Sequence, residues 1–509
     1  MSANDCRSRN PSAEKKLFWI AAVILAVVSC PADTSLVLLS TFPNPTPLQG
    51  EAVLFGFDET AFPGADGVAR VMIPGTPWQI CIRPGPANAP DQGLAYYGTV
   101  VRVASDDFRM WYLGVGPDNG LRICYATSKD GIVWSKPDLG LVEFGGNKAN
   151  NLIDFPVGPK AFHEPVVVLY EPEDPDPTRR FKMVFEYLPE TTWGTAASSD
   201  GLRWHLLTGD KLKPWLEMSG VTKYRGRYYV TGQGGFPQPQ PWYRRIGVFV
   251  SDDFVTWRFA GVGFDRSPKD KSVEYHFLRH EQAHLGAGLW NRGNVILGIY
   301  GQWHGVPAGK DLKTINMVGD LGLILSHDAE HFYEPVPGFS LIEEKATPQP
   351  PQSKPYAHAL MQGQGMYNVG EQTLFWYSHW SGPLINIASW KRDRLGYLAP
   401  SIKSASVVTC PVKVVQGHVK VYLNAKIPPG GKMSVSVVDE KNQPLRGFKS
   451  KTLTGDFLHK EITWSSKLSE SAGTFRIKLT GTGDWKLYAL YLGDGEPQFL
   501  KTNAEGVPL

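Results

Sequence analysis

Four times along this chain a strand-like run ends in Ser, crosses a short polar turn that carries Asp, and meets an aromatic residue. The copies are Ser128–Trp134 (SKDGIVW), Ser198–Trp204 (SSDGLRW), Ser251–Trp257 (SDDFVTW) and Ser326–Phe332 (SHDAEHF). A unit that recurs over hundreds of residues marks a repeat architecture, in which each unit buries its apolar face against its neighbours. The turn residues Asp130, Asp200, Asp253 and Asp328 suit this role because an Asp carboxylate bonds its own backbone in a turn. They read as structural, with the aromatic packed between adjacent sheets, and not as catalytic groups.

The flanking segments supply strands. Phe108–Leu113, Phe181–Tyr187, Tyr228–Thr231, Val295–Trp303 and Thr373–Trp380 are rich in β-branched and aromatic residues and bounded by turn formers. Upstream of each lies another short apolar strand candidate, and downstream of each a strand that leads into the Ser turn. The fifth unit has Ile385–Trp390 there, without the Ser-Asp turn. With 53 Gly, 40 Pro and little helical periodicity, the chain is expected to be all-β: a five-bladed β-propeller over residues 75–398, then a C-terminal antiparallel β-sandwich over 403–495. Residues 31–74 read as a lead-in strand and loops that close the ring or brace the sandwich.

Residues 1–30 read as a targeting segment. Lys15 and Lys16 precede the apolar run Leu17–Val28, the pattern of a secretory signal and too short for a comfortable membrane span. Val27-Val28-Ser29-Cys30 resembles a bacterial lipobox, which would leave Cys30 lipid-modified. The expected location is therefore exported: periplasm, cell surface or medium. Cys81, Cys124 and Cys410 have no metal-like spacing and read as buried thiols, with a Cys81–Cys124 disulfide as the alternative. A formal charge of +3 gives no case for nucleic acid.

In a propeller the first strand of each blade lines the axis, so function is sought where those strands begin. Blade two opens with Phe162-His163-Glu164-Pro165, blade three with Trp215-Leu216-Glu217-Met218, and blade four with His280-Glu281-Gln282-Ala283-His284. Three consecutive blades thus bring a Glu to the mouth. Glycoside cleavage needs carboxyl groups facing one another across the scissile bond, one as acid and one as base or nucleophile.

This pattern resembles the five-bladed glycoside hydrolases of the clan that holds family 32 (invertase-like) and family 43 (arabinanase- and xylosidase-like). His163-Glu164-Pro165 is similar to the Arg-Asp-Pro motif that opens blade two in family 32, and Leu216-Glu217-Met218-Ser219 to its Trp-Glu-Cys-Pro motif in blade three. The resemblance implies Glu217 as general acid, and Glu164 as a second carboxylate that binds a hydroxyl and tunes the acid. The chain departs from the pattern in blade one, where Leu94-Ala95-Tyr96-Tyr97 stands in place of an Asp-bearing segment. Asp91 is the nearest upstream acid, and Glu281 is the alternative base. The whole chain is also similar to a group of exported, family 32-like proteins common in planctomycete-type genomes.

Sugar sites need aromatic faces and planar polar groups. His284 and Gln364 open blades four and five, and His163, Trp290 and Trp303 complete the expected substrate-binding set. His280-Glu281-x-x-His284 has the spacing of a metal motif, but that motif converges only on a helix and this segment reads as strand. No metal or cofactor is expected. The leading expectation is an exported glycosidase acting on an oligosaccharide or polysaccharide. The alternative is a non-catalytic carbohydrate-binding or cell-surface protein on the same fold. A metal-dependent lyase or epimerase of uronic sugars is a third class.

Overall fold

The computed structural model describes residues 35–38, 48–49, 51–158, 162–187, 192–208, 211–234, 244–266, 281–304, 318–348, 358–380 and 382–493. Side chains at 49, 95, 97 and 162–165 fall outside that description, as do residues 1–34 with Cys30 and the expected targeting segment. The molecule is all-β, and its few helical turns are short 3-10 pieces. Among the described residues no helix is long and apolar enough to cross a membrane.

Between residues 76 and 391 the described strands form five antiparallel units of four strands. Unit one runs Gly93–Ala104, Asp107–Val115, Leu121–Ser128 and Trp134–Ser135. Units two, three and four begin at Phe162–Tyr170, Leu216–Tyr224 and Gln282–Asn291 and proceed in the same meander. Unit five takes Leu360–Val369, Gln372–His379 and Ile385–Lys391 from its own segment, and its outer strand, Thr76–Ile82, from far upstream. That borrowing explains why the fifth repeat lacks the Ser-Asp turn: no local fourth strand follows its third. A parallel bridge, Gln364 to Thr99, joins units five and one.

The Ser-Asp turns are structural, as their sequence suggests. In all four the Ser hydroxyl donates to the Asp carboxylate at 2.9–3.0 Å. The same carboxylate accepts the backbone N–H groups two and three residues on, at 2.7–2.9 Å. The turns also lock neighbouring units together. The Trp111 indole of unit one donates to the Gly201 carbonyl (2.8 Å), and that of Trp376 in unit five to Gly131 (3.0 Å). Phe181–Tyr187 is buried along its whole length, its Lys182 and Glu186 included.

A second body is built from both ends of the described chain. Ser35–Leu38 and Gly64–Asp66 join an eight-stranded sheet with Val412–Gln416, Ser404–Val408 and Thr474–Thr482. Ala52–Phe55 and Val68–Met72 join a seven-stranded sheet with Lys486–Gly493 and Gly396–Pro400. One core, including Leu36, Val412 and Ile477 from the first sheet and Leu54, Val421 and Leu490 from the second, lies between them. The lead-in residues are therefore integral strands of this body. It docks on the hairpin ends of units four and five. There the Asn294 side chain accepts from Val53 N–H (2.9 Å) and donates to Val53 carbonyl oxygen (2.7 Å), and Arg292 pairs with buried Asp393 (2.6 Å). The described cysteines are free thiols, and burial pushes the Cys410 thiol up to about 12.

Candidate active site

The five inner strands share one irregularity. Each slips register near its start: between Ala95 and Thr99, Phe162 and Val166, Met218 and Gly220, His284 and Ala287, and Gln362 and Met366. A bulge re-aims side chains and is common beside active sites. Five in register make the opening end of the inner strands the place to look.

Just beyond the bulges the hub is closed. The Gln364 amide accepts from Val221 N–H (2.7 Å) and donates to the Val221 (2.9 Å) and Val168 (3.3 Å) carbonyls, tying unit five to units three and two. Thr99 bridges to unit two in the same way, donating to the Val166 carbonyl and accepting from Val168 N–H, both at 3.0 Å. The chain packs so closely here that a Cβ on Gly220 would stand 2.0 Å from the Ala287 carbonyl oxygen. Gln364 is thus corrected from a ligand contact to a hub fastener, because its amide is committed to buried backbone.

At the opening end sits Glu217. Its register partner on the next strand, Gln233, donates an amide hydrogen to the Glu217 carboxyl and accepts from Leu285 N–H at 3.2 Å. That second bond fixes which end of the Gln233 amide faces the acid. Leu285 holds φ of 63°, an outlier for a branched residue, inside the bulge of unit four. Burial raises the Glu217 carboxyl above its ordinary value, against the opposing pull of Arg244 and Gln233. A buried carboxyl that keeps its proton is suited to act as an acid.

An aromatic wall stands next to it. The His284 ring stacks on Trp303 at 3.9 Å between centroids and lies 5.3 Å from that of Trp380. The Arg244 guanidinium sits 4.6 Å from the centre of the Trp303 ring. His284 is fully buried, and among the described residues neither of its ring nitrogens has a hydrogen-bond partner. Burial, with the Arg244 charge added, drives its pKa well below the ordinary value, so the imidazole is neutral.

Glu281 occupies the next opening. Its carboxylate pairs with Arg266 (2.9 Å) and faces His304 (3.6 Å), while Arg266 also donates to the Trp303 carbonyl (3.2 Å). Burial pushes the Glu281 carboxyl up, but His304 and Arg266 outweigh it and hold the group below its ordinary value. His304 is raised to about 9, its burial outweighed by Asp320 (3.2 Å) and Glu281.

Two other candidates lie elsewhere. Asp91 is buried against unit one, accepting from the Tyr112 hydroxyl (2.7 Å) and paired with Lys136 (2.5 Å) beside the outermost strand. It shares no described partner with Glu217, and fully buried Tyr96 of unit one packs in a core shared with Trp376 and Ile385 of unit five. Trp290 stands at the far end of its strand from His284, roughly 13 Å away because their ladder partners Leu297 and Gly301 are four residues apart at about 3.3 Å each, beneath Arg292 at 4.5 Å. It belongs to the contact with the second body. Glu164 and His163 fall within the bulged opening of unit two, and their side chains lie outside the described residues.

Sequence reasoning passes over Gln233, Arg244, Arg266 and Glu186. Glu186 is buried at the end of the second strand of unit two and accepts from the Trp215 indole. A lone acid inside FKMVFEY is a readable signal, because buried carboxylates are rare without a partner. Gln233 and Arg266 become visible only through register and packing. Among the described residues no group of three or more His, Cys, Asp or Glu is placed to hold a metal ion.

The chain matches no family profile and no curated protein. Among solved structures it is similar to a candidate glycoside hydrolase from Parabacteroides distasonis, at 12% identity over 64% of this chain and 96% of that one, with a TM-score of 0.43. It is also similar to the α-L-arabinofuranosidase of Fusarium graminearum (11%, 64% and 99%, 0.36) and the exo-β-1,3-galactanase of Phanerochaete chrysosporium (10%, 81% and 99%, 0.35). Those activities are theirs.

Proposed function

We propose that the five units are the blades of a β-propeller, that the second body is a β-sandwich, and that the open mouth of the propeller is a glycoside hydrolase site in an exported protein. One observation carries the reading. Glu217 and Glu281 open adjacent units, each faces an arginine that also contacts Trp303, and their surroundings push their pKa values in opposite directions. Such a split assigns acid and base roles. Glu217 protonates the leaving glycosidic oxygen as the bond to the anomeric carbon breaks. Glu281, ionised, takes the proton of the attacking water or itself attacks that carbon. Buried His284 and Trp303, stacked on each other, back the mouth, and half-buried Trp380 offers the ring face for a sugar. Glu164 orients the sugar from unit two. The sandwich, docked at the opposite end, braces the ring.

The experiment is a screen of aryl glycosides and plant or algal glycans against the wild type and Glu217→Gln. Hydrolysis that survives the substitution undiminished overturns the role of Glu217. A second reading, a carbohydrate-binding protein without turnover, draws on the commitment of Asp91 to Lys136 and Tyr112, which leaves unit one without an axial acid. Calorimetric binding of a glycan that the wild type never cleaves would favour it.

A further inference from the structure

We infer a second saccharide-binding cleft, centred on Trp78, at the end of the molecule opposite Glu217; its ligand class rests on the carbohydrate reading of the mouth. Trp78 lies on Thr76–Ile82, the borrowed outer strand of unit five. In the pairing of that strand, Pro77 faces Ala388 and Gln79 faces Ile387, so Trp78 is the extra residue of a bulge. The bulge turns its indole out of the ladder, as bulges do. The side chain is 42% exposed, whereas every other described tryptophan is buried or half-buried.

Trp78 lines a cleft of about 800 Å³ between unit five and the second body. Glu371 and Gln372, from the turn joining the first two strands of unit five, line it too, with Ser389 and the Tyr488 ring of the second body. Glu371 is exposed and Gln372 half-buried. The turn marks the hairpin end of unit five, whereas Glu217 opens the inner strand of unit three at the other end. The volume falls within the range of small-ligand sites. An exposed indole face with a carboxylate, an amide and a hydroxyl around it suits a C–H-rich ring that carries hydroxyls. A protein partner fits less well. A stable interface needs a patch on the order of 1,000 Å² or more, and the other exposed large apolar side chains, Val133, Leu206, Val318, Ile402 and Val415, do not line this cleft. With its own borrowed strand as one wall, the cleft holds a glycan chain to the protein while the mouth acts elsewhere on the polymer.

The test is native affinity electrophoresis in gels containing arabinan, arabinoxylan or β-1,3-galactan, run with the wild type, Trp78→Ala, Trp78→Phe and Glu217→Gln. At least one polysaccharide should retard the wild type and Glu217→Gln equally. Retardation should weaken at least fivefold in Trp78→Ala and partly return in Trp78→Phe, with melting temperatures unchanged. Retention of full retardation by Trp78→Ala, loss of it in Glu217→Gln alone, or no retardation of the wild type by any polymer overturns the cleft. So does a dimer-to-monomer change caused by Trp78→Ala in size-exclusion chromatography, which would make this face a contact between copies. If no hydrolysis is found yet retardation depends on Trp78, the mouth reading fails and the cleft stands.

Discussion

At the scale of single residues, the site is defined by two glutamates in unlike surroundings. Glu217 sits against an amide whose direction is set by Leu285 N–H, and burial favours its neutral form. Replacing it with Gln should keep the fold and the Gln233 contact while removing the proton. The expected loss in kcat/KM is about 10²–10⁴-fold, measured on whichever substrate the screen yields. The pH profile should be bell-shaped. Glu217 must be protonated, so activity falls as pH rises through its elevated pKa. Glu281 must be ionised, so activity falls as pH drops through its depressed pKa. Arg266→Met removes a cation from Glu281 and should move the acidic limb to higher pH without moving the alkaline one. A purely structural role for Arg266 would not shift that limb.

At the scale of elements, the Ser-Asp turn and the hub are the two recurrent devices. Asp200→Ala deletes the acceptor for Leu202 and Arg203 N–H groups and for the Ser198 hydroxyl. Because the turn is partly solvated, water replaces some of what is lost. The expected cost is about 1–2 kcal/mol, read by denaturant unfolding. Gln364→Leu is more severe. It strands Val221 N–H and two carbonyls in a buried hub, each unsatisfied group costing about 1–3 kcal/mol, so a loss of roughly 3 kcal/mol or more is expected in the same measurement. Legibility differs between the two devices. The turns announce themselves because their bonds are local, made within a few residues. The role of Gln364 depends on Val168 and Val221, far off in sequence, and only the packing of units two, three and five brings them to it.

At the scale of the whole molecule, an ion pair fastens the two bodies. His327, in the Ser-Asp turn of unit four, meets fully buried Asp58 at 3.1 Å, and Asp58 also accepts from the Tyr333 hydroxyl (2.7 Å) and Thr60 N–H (2.9 Å). Burial would lower the His327 pKa, but Asp58 outweighs it and raises the group. Burial would raise Asp58, but His327, Tyr333 and Thr60 hold it low. The raised His327 contributes fully below its ordinary value of 6.5 and loses that contribution as pH rises through the folded pKa. The depressed Asp58 contributes fully above 3.8 and loses that contribution as pH falls through its folded pKa. Asp58→Asn should therefore lag the wild type in stability most between about pH 4 and 6. The difference should shrink at alkaline pH, in denaturant melts across the range.

What the chain determines on its own is local or periodic. The Ser-Asp turns, the strand composition and the five strand pairs repeat along the sequence, so the units and the Glu-bearing openings of three of them are readable from residue order. What only the tertiary structure decides is who meets whom. The residues before Pro74 become strands of the second body because their partners lie near the other end of the chain. Thr76–Ile82 completes unit five for the same reason. Asp91 is the nearest acid upstream of the first inner strand, yet its side chain turns to Lys136 and Tyr112. The carboxyl of Glu217 is raised by burial and that of Glu281 lowered by His304 and Arg266, and only packing supplies either environment. Spacing fixes which strand a residue belongs to, whereas its ionisation is set by the dielectric and the charges that folding packs around it.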